Sequence, residues 1–315
     1  MTFPIPHAEL PYLIVSSTLN RLNLPNLSLN PGTLRTSLKP AASTIDLYLP
    51  VKRYLYRFTN HHMKSDIRIF KDSEKLSRHA ADLFVAQAVH SIVKRECFLV
   101  ALNGGGTPAR LFQLLATEYR EKVDWTKTHI FWGDERCVPP NDPGSSFGQA
   151  RDLLLSHVPI PDSNIHRIKG DLEPAEASKD YSLTLSGFAS PPLAVPRFDL
   201  VYLGMGEDGH TASLFPGSPV DVTEATLPVT AHYQDRPANR VTLTQRVFNQ
   251  AHMIVFIATG EKKAVTLAEV LSDSYNPELY PAQRIEPKNG DLIWLVDEEA
   301  AGKLPRNLIT KFCEG

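Results

Sequence analysis

The chain has 315 residues, 42% of them hydrophobic, which is enough to bury one large core or two smaller ones. A formal charge of −2 gives no reason to expect nucleic acid or a membrane surface as a partner, and no apolar run approaches the length needed to span a bilayer. Cys97, Cys137 and Cys313 stand at unrelated spacings with no CxxC and no Cys/His cluster, a usage that fits a reducing compartment and supplies no metal-ligand pattern.

The first 62 residues differ from the rest. They hold six basic residues (Arg21, Arg35, Lys39, Lys52, Arg53, Arg57) against Glu9 and Asp46, so the leader is basic while the remainder is acidic. Rich in Ser, Thr, Asn, Leu and Pro and without sustained periodicity, residues 1–62 are expected to have little order. Scarce acids with scattered Arg and Ser suit an organelle transit peptide; Met63, standing directly before a strand-and-helix pattern, equally suits an initiator with the leader lying upstream of it. The expected organisation is therefore a leader, 1–62, and one domain, 63–315, placed in the cytoplasm or, if the leader is a transit peptide, in an organelle.

Ile67 to Phe70 reads as a strand. Asp72 or Ser73 then caps a helix whose Leu76, Ala80, Leu83, Phe84, Ala88 and Ile92 follow helical spacing. Cys97 to Leu102 is a continuous apolar run of strand length, as in a parallel sheet buried on both faces. After it come Asn103, Gly104, Gly105, Gly106, Thr107 and Pro108, then a helical pattern for which Thr107 is the expected N-cap and Pro108 the first residue. Strand, glycine turn and helix N-terminus can hold an anion such as phosphate, or form a plain βα turn. Neither a P-loop nor a dinucleotide fingerprint is spelled out there.

His129 to Trp132 is the next strand, ending in Gly133, Asp134, Glu135 and Arg136, three charges that suit a polar pocket or a solvated loop. A loop over 139–144 leads to a helix from Ser145 or Ser146 through Leu155, and Pro159 to Pro196 reads as a connection with little chemistry. Asp199 to Leu203 is a strand followed by a turn punctuated by Gly204, Gly206 and Gly209, then a helical turn. This places Glu207, Asp208 and His210 beyond a strand's carboxyl end, where open α/β sheets bind ligands. A lone loop histidine is often only a surface or capping residue, but Asp208 two residues away can fix its tautomer, as a general base requires. Arg240 to Thr244 and His252 to Thr259 read as strands, Glu261 to Leu271 as a helix, Leu292 to Val296 as a strand with a closing helix from Asp297 or Glu298. Lys262 and Lys263 in a helix's first turn oppose its dipole, which a nearby anion would offset. Strands and helices alternate throughout, so the expected fold is α/β: doubly wound, Rossmann-like, with a mainly parallel sheet flanked by helices.

Taken jointly, NGGGTP, FWGDERCVPP, SSFGQARDLLL, FDLVYLGMGEDGHTASLFPG, NRVTLT and TGEKKA resemble the 6-phosphogluconolactonases of the pentose phosphate pathway, in the wider group that includes glucosamine-6-phosphate deaminases. The resemblance covers about residues 63–315. It implies hydrolysis of 6-phospho-D-glucono-1,5-lactone to 6-phosphogluconate without metal or organic cofactor, a sugar phosphate as the small-molecule partner, and room for loose association with a separate glucose-6-phosphate dehydrogenase. His210 matches the water-activating base with Asp208 as its partner. Gly105, Gly106 and Thr107 match the phosphate loop, Arg240 and Lys263 the cations near the sugar phosphate, and Asp134, Glu135 and Arg136 the polar wall, where Arg136 holds either substrate or the developing oxyanion.

Asn103 and Gly106 replace serines of the common SGGSTP loop, and Ser146 stands where Asn is usual, so hydroxyl and amide contacts at these points are in question. Direct attack by water is favoured over an acyl-enzyme. Two rivals use the same scaffold: an isomerase or deaminase with Asp134 moving a proton at carbon, and a non-catalytic sugar-phosphate sensor.

Overall fold

The computed structural model describes residues 66–305 except Ser190, all within one unit of the chain, Val51–Gly315. The leader and its expected boundary at 62/63 lie outside the described residues. The apolar runs Asp66–Phe70 (β1), Phe98–Leu102 (β2), Thr128–Trp132 (β3), Leu200–Gly204 (β6), Met253–Ala258 (β9) and Asp291–Asp297 (β10), with the two-residue Ile165–His166 (β5), form one seven-stranded sheet. Its order is β1-β10-β9-β6-β2-β3-β5 and every pairing is parallel. Parallel neighbours need crossovers, which is why helices recur between the strands.

The first crossover, Ser73–Arg95 (α1), begins where Asp72 accepts a 2.8 Å hydrogen bond from the Lys75 N–H. It buries the predicted face, Leu76, Ala80, Leu83, Phe84 and Ala88. Ala109–Ala116 (α2) follows the glycine turn, but Pro108 occupies the cap position with no side-chain cap, so Thr107 does not serve as N-cap. Ser146–Leu153 (α3) is capped by Ser145, whose hydroxyl accepts from the Gly148 N–H at 2.9 Å.

The chain builds β2, β3 and β5 outward in one direction, then returns to lay β6, β9 and β10 outward in the other. The switch in direction falls between β2 and β6. Because all seven strands run the same way, their carboxyl ends open a crevice at that point. The glycine turn after β2 and the His210 loop after β6 both lie there.

Four expectations are amended. Asp134–Arg136 (β4) is a strand rather than a loop, and with Thr226–Thr230 (β7) and Asn239–Leu243 (β8) it forms a separate antiparallel sheet in the order β4-β8-β7. The Pro159–Pro196 connection contains β5 and Pro174–Ser186 (α4). This helix buries Ser178 and Tyr181 beside Ala177 and Leu185, so half of its inward face is polar and its hydrophobic period is weak. The turn after Gly209 is not helical: Thr211 and Leu214 close it as an isolated antiparallel bridge. The short helices Gln245–Phe248 (α5) and Ala264–Val270 (α6) complete the set; the expected 261–271 helix is present, its first turn Glu261–Lys263 being 3₁₀ and running into α6, whereas the closing helix is only a 3₁₀ turn, Ala300–Lys303.

Tyr181 fastens α4 to the carboxyl end of β3: its fully buried hydroxyl accepts from the Trp132 N–H at 2.9 Å and donates to the Trp132 carbonyl at 3.0 Å. Tyr181→Phe leaves both backbone groups unsatisfied and should lower unfolding free energy by roughly 1–3 kcal/mol. Urea denaturation checks this; an unchanged midpoint would show that water replaces the hydroxyl.

Candidate active site

The loop after β6 returns on itself. The Gly206 N–H donates to the His210 carbonyl at 2.9 Å and the Gly209 N–H to the Gly206 carbonyl at 3.2 Å. Such a tight turn presses the imidazole onto the backbone of Gly206, where any Cβ would overlap both His210 Nδ1 and the Asp208 carboxylate. Asp208 Oδ1 accepts from His210 Nδ1 at 2.6 Å and from the His210 N–H at 3.1 Å. Burial opposes the Asp208 charge, but its bonds with His210 outweigh that effect and hold the carboxyl below the usual aspartate range. With Nδ1 committed, Nε2 is the ring nitrogen without a hydrogen-bond partner among the described residues. Phe215 lies tilted against the ring at 4.4 Å between centroids, and Tyr233 meets it edge-on at 4.6 Å.

His210 lines a cavity of about 300 Å³ that is also bounded by Gly106, Thr107, Asp134, Arg136, Arg236, Arg240 and Lys263. Alternation along β4 decides the fate of the GDER charges. Asp134 and Arg136 line the cavity, whereas Glu135 does not. Its carboxylate accepts from the N–H groups of Arg136, Ser146 and Phe147, each at 2.7 Å, and from Ser145 Oγ at 3.0 Å, which fixes the start of α3. Burial raises the Glu135 pKa against the pull of these donors. The expected polar wall is thus two residues, not three.

Asp134 accepts from Ser213 Oγ at 2.7 Å. Arg136 faces Arg240 directly across the β4/β8 pair. Both guanidiniums are buried, and each keeps a nitrogen, Arg136 Nε and one Arg240 Nη, without a partner among the described residues. Like charges opposite one another repel, so this pair concentrates positive charge at the cavity wall. Arg240 also lies 5.2 Å over the Phe215 ring. Burial draws its pKa down, Asp134 opposes that, and Arg136 and Arg236 add to it. Burial lowers Lys263 as well, against Glu207 and Asp297.

The glycine turn contributes less than expected. Gly105, at φ 109°, spends both backbone groups on the Gln149 side chain, at 3.0 and 2.7 Å, and does not line the cavity. Gly106 and Thr107 do, and their N–H groups have no partner among the described residues. Asn103 is turned so that its amide nitrogen donates to the Tyr202 and Leu102 carbonyls, a brace between strand ends. The buried Ser146 hydroxyl is absent from the cavity lining and packs against Gly104.

Arg236, Tyr233 and Gln149 carried no signal in the sequence. Arg236 sits in an exposed polar loop between β7 and β8, and its guanidinium has no hydrogen bond or ion pair among the described residues. It approaches the glycine turn from the opposite side, 3.9 Å from where a Gly105 Cβ would stand. No group of three or more His, Cys, Asp or Glu able to hold a metal ion occurs among the described residues, and no described helix is long and apolar enough to cross a membrane.

Residues 71–294 match the family model for glucosamine-6-phosphate isomerases/6-phosphogluconolactonase. A 6-phosphogluconolactonase from Aggregatibacter actinomycetemcomitans is 40% identical over 64% of this chain and 85% of its own length. One from Haemophilus influenzae is 39% identical over 71% and 95%. The solved 6-phosphogluconolactonase of Trypanosoma brucei superposes with a TM-score of 0.69 at 28% identity, over 78% of this chain and all of that one.

Because the folded Asp208 pKa is depressed, its charge contributes stability that is complete above the unfolded aspartate value of about 4 and is lost as pH falls through the lower folded value. Thermal unfolding of wild type and Asp208→Asn should therefore differ most near neutral pH and converge in acid. A gap constant across that range would contradict the His210 bond as the source.

Proposed function

This chain belongs to the glucosamine-6-phosphate isomerase/6-phosphogluconolactonase family, and we propose that it hydrolyses 6-phospho-D-glucono-1,5-lactone to 6-phospho-D-gluconate in the pentose phosphate pathway. The observation that carries the mechanism is a histidine with one nitrogen held by a carboxylate, lining a cavity with three arginines and a lysine. We place the activity in residues 63–315.

His210 Nε2 takes a proton from water as the water oxygen bonds to the lactone carbonyl carbon. Asp208 fixes the tautomer that leaves Nε2 basic and stabilises the imidazolium that forms. The carbonyl oxygen becomes negative in the tetrahedral intermediate. When the carbon–ring-oxygen bond breaks, the imidazolium returns its proton to the departing ring oxygen, restoring His210 and leaving the open-chain acid. The remote phosphate needs a fixed anion site, and the Arg136/Arg240 pair, Lys263, Arg236 and the Gly106 and Thr107 N–H groups are the donors available to it. Asp134, tied to Ser213, faces the sugar hydroxyls.

The test uses the full chain and freshly generated lactone, with the spontaneous opening rate subtracted. Rapid hydrolysis is expected, and His210→Ala should cut kcat by roughly 10² to 10⁴ with KM little changed. Arg236→Ala should chiefly raise KM, since its contact with phosphate is the same in ground and transition states. A wild-type rate no faster than spontaneous opening would overturn the assignment, and a KM unchanged in Arg236→Ala would remove that residue from the phosphate site.

A further inference from the structure

The loop joining β7 to β8 is closed by the Ala231 N–H donating to the Ala238 carbonyl at 2.9 Å. At its tip Gln234 and Asp235 hold consecutive left-handed conformations, φ 48° and 53°, which non-glycine residues rarely adopt. His232, Gln234, Asp235 and Arg236 are exposed; Tyr233 between them is turned in and half-buried. Its ring meets the His210 imidazole at 81°, with Phe215 6.0 Å away in the same aromatic cluster. Its hydroxyl accepts from the Glu207 N–H at 3.2 Å, while the Glu207 carbonyl accepts from Thr266 Oγ1 at 2.6 Å. The loop that carries His210 is thus tied to α6 on one side and to the hairpin on the other.

Resting on the lactonase mechanism above, we infer that Tyr233 is a positioning residue for His210: its ring, set against the imidazole from a different sheet, fixes the direction in which Nε2 points. The bond to Asp208 holds the ring at a single atom, and the Phe215 and Tyr233 rings packed against it restrict the tilting that one contact still allows. A base must lie within hydrogen-bond reach of the attacking water, and small misplacement costs rate steeply. Tyr233 therefore acts on the chemical step. Arg236, three residues further on in the same hairpin, acts on binding, so a hairpin that merely shifted would raise KM.

Steady-state kinetics of the full chain on fresh lactone, with thermal unfolding of each variant alongside, test this. Tyr233→Ala should lower kcat roughly 10-fold with KM within about 2-fold of wild type. Tyr233→Leu, which keeps apolar volume without a flat ring, should show the same loss and covers the case in which the alanine variant unfolds. Tyr233→Phe should recover the rate to within about 3-fold, because it keeps the ring and loses only the Glu207 tether. A raised KM at unchanged kcat would make Tyr233 a substrate wall, and a phenylalanine variant no better than alanine would deny the ring its part; either overturns the inference. An inactive wild type would overturn it together with the lactonase assignment, whereas active wild type with unaffected variants overturns it alone.

Discussion

The hydrogen bond from His210 to Asp208, 2.6 Å long, is the contact on which the rest of the site depends. It needs a backbone turn tight enough to bring residues two apart face to face, and that turn needs a glycine at 206 because the imidazole and carboxylate occupy the space of its missing side chain. The turn is carried by β6, at the middle of a seven-stranded parallel sheet, with β2 and β9 on either side of it.

The second constraint is electrostatic. Two buried arginines face each other across β4 and β8, a repulsion that the Asp134 carboxylate opposes at Arg240. The small antiparallel sheet exists at the mouth of the crevice and carries these charges on one face, while Glu135 on the other face is absorbed into the start of α3. One short strand thus lines the cavity with two of its residues and serves folding with the third. The same sheet, through its β7–β8 hairpin, delivers Tyr233 to the His210 ring and Arg236 to the side of the glycine turn. The cavity is therefore lined from both sheets, by the His210 loop and the glycine turn of the parallel sheet and by Arg136, Arg240 and the β7–β8 hairpin of the antiparallel one.

Local sequence carried much of the parallel sheet. The runs at Phe98–Leu102, Leu200–Gly204 and Met253–Ala258 are apolar because each is buried on both faces, and α1 shows its helical period because one face packs inward. The His210 loop was legible in part: glycines beside Asp and His after a strand mark a tight turn, but the helical turn expected after Gly209 is an isolated bridge between Thr211 and Leu214. Where polar atoms supply the packing, the pattern faded. Helix α4 buries Ser178 and Tyr181 through hydrogen bonds, to Thr226 and to the Trp132 backbone, so its inward face does not read as hydrophobic.

Read without coordinates, the chain already yields the strand–helix alternation, the adjacency of His210 and Asp208, and the clustering of glycines and cations after particular strands. These depend on neighbours in the chain or on the period of a single element. Which of those groups meet depends on the folded arrangement. There the Gly105 backbone groups are filled by Gln149, Glu135 is turned away from the cavity by strand alternation, and Arg236 and Tyr233 join the lining from a polar loop. Such choices follow from pairing register and from contacts between residues tens of positions apart, and no local propensity encodes them.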